Sequence, residues 1–371
     1  MDHLPAAHPA PVDITLDLLY ELLGIERHWE PILLLRNARI VRGHLPPLVL
    51  SVARTSGAAM GPGSLAELDR MQRRAATYRA IADELTRIPG TRVLKGPSLA
   101  ARYPEGVLRP LGDLDVVVPD EPRLWQAASR VLAGRPVDGI DITVLRADGT
   151  RHTAIALHWP SEDPMIDPEL KVEISTFAYP GDSGAVPLRA ATPPEQVQAD
   201  VLALAEERFQ RPFTAKDMLD LAVVFSSPGL PPWADLARSA DRFRLAPELL
   251  ELCQAVSSLP ALAHTVPREL TRALEERASA EQDRRRSVAV DAAPADRSAP
   301  VRERLDAGMP VHGMLLKRAD TPRADAYAVT EDFSDGTLLR TPVGDFLLVD
   351  GEIVDPGQYE SALAAVREAV R

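Results

Sequence analysis

From Asp13 to about Leu85 the apolar residues recur at intervals of three and four. Ile14, Leu18, Leu19, Leu22 and Leu23 begin the series, and Leu65, Leu68, Met71 and Tyr78 continue it, which predicts successive helices with one apolar stripe each. The run Ser56 to Ser64 (SGAAMGPGS) breaks the period and reads as a loop. Ser64 and Glu67 then form a capping-box pair for a helix reaching about Leu85, ended by Pro89 and Gly90. Beyond this point the period falls towards two. Arg92 to Leu94 predicts a strand, Ser98 to Tyr103 a short helix, and Asp113 to Val118 a strand stopped by Pro119. A helix over Pro122 to Leu132 precedes two alternating runs, Ile140 to Leu145 and His152 to His158, joined by the turn residues Ala147, Asp148 and Gly149. Leu170 to Phe177 is a further strand.

After Pro193 and Pro194 the helical period returns through Val197 to Phe209 and Ala215 to Phe225, with shorter helices to about Ala280. Residues 281–303, rich in Arg, Asp, Ala and Pro, read as a linker. Strands over His312 to Lys317, Ala326 to Thr330, Thr337 to Arg340 and Asp345 to Val349 follow, with Asp335 and Gly336 as a turn, before a last helix over Gln358 to Val370. The expected fold class is α+β: a small mixed sheet with helical N-terminal and middle segments and a small β-rich C-terminal module. The expected divisions are residues 1–88, 89–190, 191–280, a linker at 281–303, and 304–371.

Length and composition narrow the reading. A chain of 371 residues carries two or three domains at ordinary domain size, and 45% hydrophobic with 26% charged residues is a globular composition. The net charge of −12 argues against strong non-specific nucleic-acid binding. One cysteine, Cys253, excludes an intramolecular disulfide and a thiolate zinc cluster, and fits a reducing, cytoplasmic setting. No stretch reads as a signal peptide or a membrane span.

Candidate chemistry concentrates in Val93 to Val118. Asp113 and Asp115 stand two apart at the start of a Leu- and Val-rich strand, so both carboxylates share a face and one end. Many such pairs are solvated turn residues; here the apolar neighbours favour a shared hard divalent ion such as Mg²⁺, which relieves their repulsion. Gly96 and Ser98, around Pro97, lie between a strand and a short helix, where backbone N–H groups and a hydroxyl can hold phosphate oxygens. Lys95 and Arg109 could add full charges. Glu173, between Val172 and Ile174, points either to solvent or into a site; in a site it supplies the third carboxylate of a two-metal arrangement. Asp163 and Asp167 are weaker candidates for that place.

Other clusters have plainer readings. His158 and Trp159 read as edge packing before base or acceptor contacts, and Asp217 and Asp220 as caps or salt bridges. Arg284, Arg285 and Arg286 read as a solvated hinge, and Glu206, Glu207 and Arg208 as an exposed helix face.

The residues Leu94-Lys95-Gly96, Tyr103-Pro104, Arg109-Pro110, Gly112-Asp113-Leu114-Asp115 and Val172-Glu173-Ile174 resemble the uncharacterised nucleotidyltransferase family of the DNA polymerase beta superfamily, over about residues 13–260. The resemblance implies that Gly96 and Ser98 hold a triphosphate, that Asp113 and Asp115 bind two Mg²⁺ or Mn²⁺ ions, and that Glu173 completes the set. It implies transfer of a nucleoside monophosphate from an NTP, with ATP the expected donor, to a peptide or protein, an RNA end or a small molecule. Pro97 between Gly96 and Ser98, and Ser175 where relatives often carry His, depart from the pattern and favour the alternative of a non-catalytic scaffold or antitoxin-type binding protein. A glycosyltransferase using its Asp-x-Asp pair is disfavoured, because the region before the motif is mostly helical.

Overall fold

A computed structural model describes residues 10–26, 31–40, 45–182, 184–291, 299–320, 327–349, 351 and 354–368. In chain order the elements are α1 (Leu16–Leu22), α2 (Pro31–Ile40), α3 (Pro46–Thr55), α4 (Pro62–Leu85), β1 (Arg92–Leu94), α5 (Gly96–Ala100), β2 (Leu114–Val117), α6 (Glu121–Gly134), β3 (Gly139–Ala147), β4 (Thr150–Trp159) and β5 (Leu170–Ser175). Then come α7 (Gln196–Glu206), α8 (Ala215–Phe225), α9 (Trp233–Arg242), α10 (Ala246–Ser257), α11 (Arg268–Asp291), α12 (Val301–Asp306), β6 (Val311–Arg318), β7 (Val329–Phe333), β8 (Gly336–Thr341), β9 (Gly344–Val349) and α13 (Pro356–Glu368). The α+β class is as expected. The described residues form two bodies, a helical one from those within 1–79, 94–112 and 192–290, and a sheet body from those within 80–93, 113–191 and 291–371.

In the helical body α7, α8 and α10 pack on one another. Nearly every residue of α7 and α8 is buried, the pattern of helices wrapped by neighbours on all sides. Carboxylates nevertheless lie in this interior, among them Asp200 and Glu206 on α7, Asp217 and Asp220 on α8 and Glu248 on α10. Asp217 closes a capping box with Thr214 and pairs with Arg211, as the reading of caps and salt bridges anticipated.

Among the described residues the sheet body holds one nine-stranded mixed sheet in the order β1-β2-β5-β4-β3-β6-β9-β8-β7. β2 and β5 run parallel, with Asp115 opposite Glu173, while β4/β5, β3/β4 and β3/β6 are antiparallel. The strands alternate. Leu114, Val116, Val172, Ile174, Ile155, Leu157, Ile140 and Ile142 are buried on one face, and α6 packs on β4 and β5 through Leu124, Trp125, Ala128, Val131 and Leu132. The β3–β4 hairpin closes as expected: Asp148 and Gly149 both have positive φ, 50° and 75°, between the partners Ala147 and Thr150.

Several expectations change. Residues 281–291 are not linker but the end of α11, and Arg285 is bound to Glu248 and Glu281. Residues 292–298 of the expected linker lie outside the described residues, and 301–306 are helical. The C-terminal strands are not a separate sheet, because β6 pairs with β3 through Ile142–Gly313, Thr143–His312 and Val144–Val311. α4 begins at Pro62, so Ser64 stands in its first turn rather than at its cap. The strand expected from Ala326 begins at Val329; residues 1–9, 326 and 369–371 lie outside the described residues.

Candidate functional site

The alternation that buries Leu114 and Val116 sends Asp113 and Asp115 to the opposite, polar face of the sheet. Glu173 lies on that face for the same reason, between buried Val172 and Ile174, and the parallel register sets it directly beside Asp115. Lys171, two residues earlier, shares the face. Its Nζ lies 3.0 Å from Glu173 Oε2 and 3.9 Å from Asp113 Oδ2. Burial pushes the Lys171 pKa down, but Glu173, Asp113 and Asp115 more than offset it, so the pKa stands above the ordinary lysine value. All of these side chains keep partial solvent access, with Asp113 46%, Glu173 40% and Lys171 31% exposed.

The polar row continues across β4 and β3. His158 is the register partner of Lys171 and sits between two acids, Nδ1 at 2.7 Å from Glu169 Oε1 and Nε2 at 3.0 Å from Asp141 Oδ2, the second contact lacking hydrogen-bond alignment. Trp159 is buried on the other face. Ser175, two residues beyond Glu173, is buried and donates to the Phe177 carbonyl.

The donor set suits a hard divalent ion, being three carboxylates on one face of neighbouring strands. The side chains are nevertheless arranged around Lys171: among the described residues no group of three or more His, Cys, Asp or Glu is gathered to hold a metal ion. Asp163 and Asp167 lie in the loop before β5, and Asp167 is buried there.

The expected phosphate-binding residues belong to the helical body, where internal acids engage them. Lys95 takes φ 54°, ψ −126° and Gly96 φ 38°, a tight entry into α5 that a non-glycine residue seldom adopts. The buried Asp200 carboxylate holds this turn, accepting the Lys95 N–H at 2.8 Å together with the hydroxyl of Ser98. Burial pushes the Asp200 pKa up, in spite of hydrogen bonds from Ser98, Lys95 and Gln196. Lys95 Nζ pairs with Glu207, which corrects the reading of Glu207 as part of an exposed helix face.

Arg109, expected at phosphate, is likewise committed inside the body. Its side chain is 2% exposed and bidentate on Asp220, which is fully buried: Nε to Oδ1 is 2.7 Å and Nη2 to Oδ2 is 2.8 Å. Tyr103 donates to the same carboxylate at 2.7 Å, Lys216 Nζ lies 3.2 Å from it, and Arg109 Nη1 reaches the Gly96 carbonyl at 3.3 Å. Burial alone would raise the Asp220 pKa, but the Arg109 and Lys216 cations hold it well below the usual carboxylate range. Sequence reasoning missed Asp200 and Lys171. Their signals were an acid inside the apolar run of α7, and a lysine two residues from a glutamate on one strand.

Neither a protein-family model nor a curated protein matches the chain. Two solved structures are similar to it. One is described as a "putative nucleotidyltransferase from H. pylori", with 20% identity and TM-score 0.30 over 60% of this chain and 97% of that one. The other, JHP933 from Helicobacter pylori, has 19% identity and TM-score 0.28 over 63% of this chain and 96% of its own.

Proposed function

We propose that this chain is a metal-dependent nucleotidyltransferase that moves a nucleoside monophosphate from an NTP, ATP first among them, to an acceptor hydroxyl with release of pyrophosphate. One observation carries the reading. Asp115 and Glu173 are register partners on parallel strands, with Asp113 beside them on the polar face of the sheet. Asp113, Asp115 and Glu173 would hold Mg²⁺ or Mn²⁺, which supplies charge neutralisation for the triphosphate and the leaving pyrophosphate. The acceptor oxygen bonds to the α-phosphorus, the bond to the bridging oxygen breaks with its electron pair leaving on pyrophosphate, and the hydroxyl proton passes to Glu173 or to water. The apolar face beneath, sealed by α6, fixes the strands that carry the acids.

The test is incubation of the protein and a lysate of its native host with each α-labelled triphosphate and Mg²⁺. Label transferred by wild type and lost in Asp115→Asn, with far-ultraviolet dichroism unchanged, supports the reading; equal transfer by the variant overturns it. A binding-only role is favoured by the engagement of Lys95 and Ser98 with Asp200. Calorimetry separates the two, since a scaffold shows no metal-dependent affinity for ATP.

A further inference from the structure

We infer that Lys171 is a resident counter-cation of the acidic face, which competes with a divalent ion for Glu173 and sets how tightly the chain binds metal. The inference rests on the proposed metal site and goes further, naming the residue of this chain that opposes metal binding.

The geometry places an ammonium where a cation is wanted. Lys171 Nζ is at hydrogen-bond distance from Glu173, 3.0 Å, and within ion-pair range of Asp113, 3.9 Å, so one side chain bridges the acids of two neighbouring strands. The strand pattern enforces this position. Lys171 and Glu173 are two apart on β5 and so share a face; the β2–β5 register sets Glu173 beside Asp115, and Asp113, just before β2, lies 3.9 Å from Lys171. On the next strand the register partner of Lys171 is His158, which sits between Glu169 and Asp141.

Charge arithmetic gives the consequence. Three carboxylates and one ammonium leave a net charge of two minus, which a single divalent ion neutralises. A metal ion ligated by Glu173 requires Lys171 to give up its 3.0 Å contact with that carboxylate, and a retained ammonium repels the ion from about 4 Å. At the water-like screening of this half-exposed face, removing the ammonium charge should tighten divalent-ion binding about tenfold or more.

The experiment is a titration of the full chain with Mn²⁺ alone, without nucleotide, followed by electron paramagnetic resonance of the free ion at constant pH and low salt. Lys171→Met should bind Mn²⁺ about tenfold tighter than wild type, and Lys171→Arg, which keeps the charge, should match wild type. Lys171→Gln serves as the second neutral variant should Lys171→Met fail to fold, as judged by circular dichroism. The inference is overturned if both neutral variants bind as wild type or more weakly while Asp115→Asn abolishes binding. If neither wild type nor any variant binds Mn²⁺, the metal-site reading itself falls, and this inference with it.

Discussion

Asp220→Asn perturbs the helical body at a fully enclosed charge. The asparagine is nearly isosteric and keeps one acceptor oxygen, but it removes the anion that faces the Arg109 guanidinium, the Lys216 ammonium and the Tyr103 hydroxyl. The Arg109 and Asp220 side chains are 2% and 0% exposed, so water cannot replace the lost charge. Removing one partner from such a buried pair costs about 3–5 kcal/mol. In a body of roughly 200 residues each kcal/mol is worth about 2–4 °C, so the melting temperature of the helical body should fall by about 10 °C. Because the folded-state pKa of Asp220 is depressed, its stabilisation is complete above the unfolded aspartate value of about 3.9 and is lost only as the pH falls through the still lower folded value. The difference from wild type should therefore be constant across neutral pH and close only in strong acid. Thermal melts of both proteins by circular dichroism across that range provide the assay. Melting within about 2 °C of wild type, or a difference that closes at neutral pH, refutes the reasoning. Arg109→Met combined with Asp220→Asn should cost less than the sum of the single changes, since each removes the same pair.

Two further outcomes follow, besides the Asp115→Asn transfer assay and the Lys171 titrations. Gly313→Ala sets a methyl group 2.3 Å from Ile142 Cγ2 and 3.1 Å from Phe346 Cβ; it should destabilise the sheet body by about 1–3 kcal/mol in urea unfolding, whereas wild-type stability would argue against the β3–β6 pairing. Cys253 is fully buried and its thiol is pushed up to about 12, so it should resist thiol reagents in the native protein and react at once in denaturant; fast native labelling counts against its place in α10.

Most local elements were legible in the sequence because their periods are local. The turn Asp148-Gly149 between two alternating runs announced the β3–β4 hairpin, and β1 and α8 fall where the pattern set them. What escaped depends on distant partners. The linker reading failed because an Arg- and Asp-rich composition says nothing of pairing, while Arg284 and Arg285 bind Glu281 one turn back and Arg285 also binds Glu248, which sustains the helix. The β2–β5 register, which brings Glu173 beside Asp115, joins residues far apart in sequence, so Glu173 could be read equally as solvent-facing. Arg109 could not be told from a phosphate ligand without knowing that Asp220 is enclosed with it.

The two bodies are not consecutive pieces of chain, since the backbone passes from one to the other five times. Neither can be cut out by choosing a start and a stop codon, and no single crossover between genes can transplant one of them whole. Exchanging either body whole therefore takes five matched junctions in the gene, so the acidic face and the helical interior are most readily altered one residue at a time.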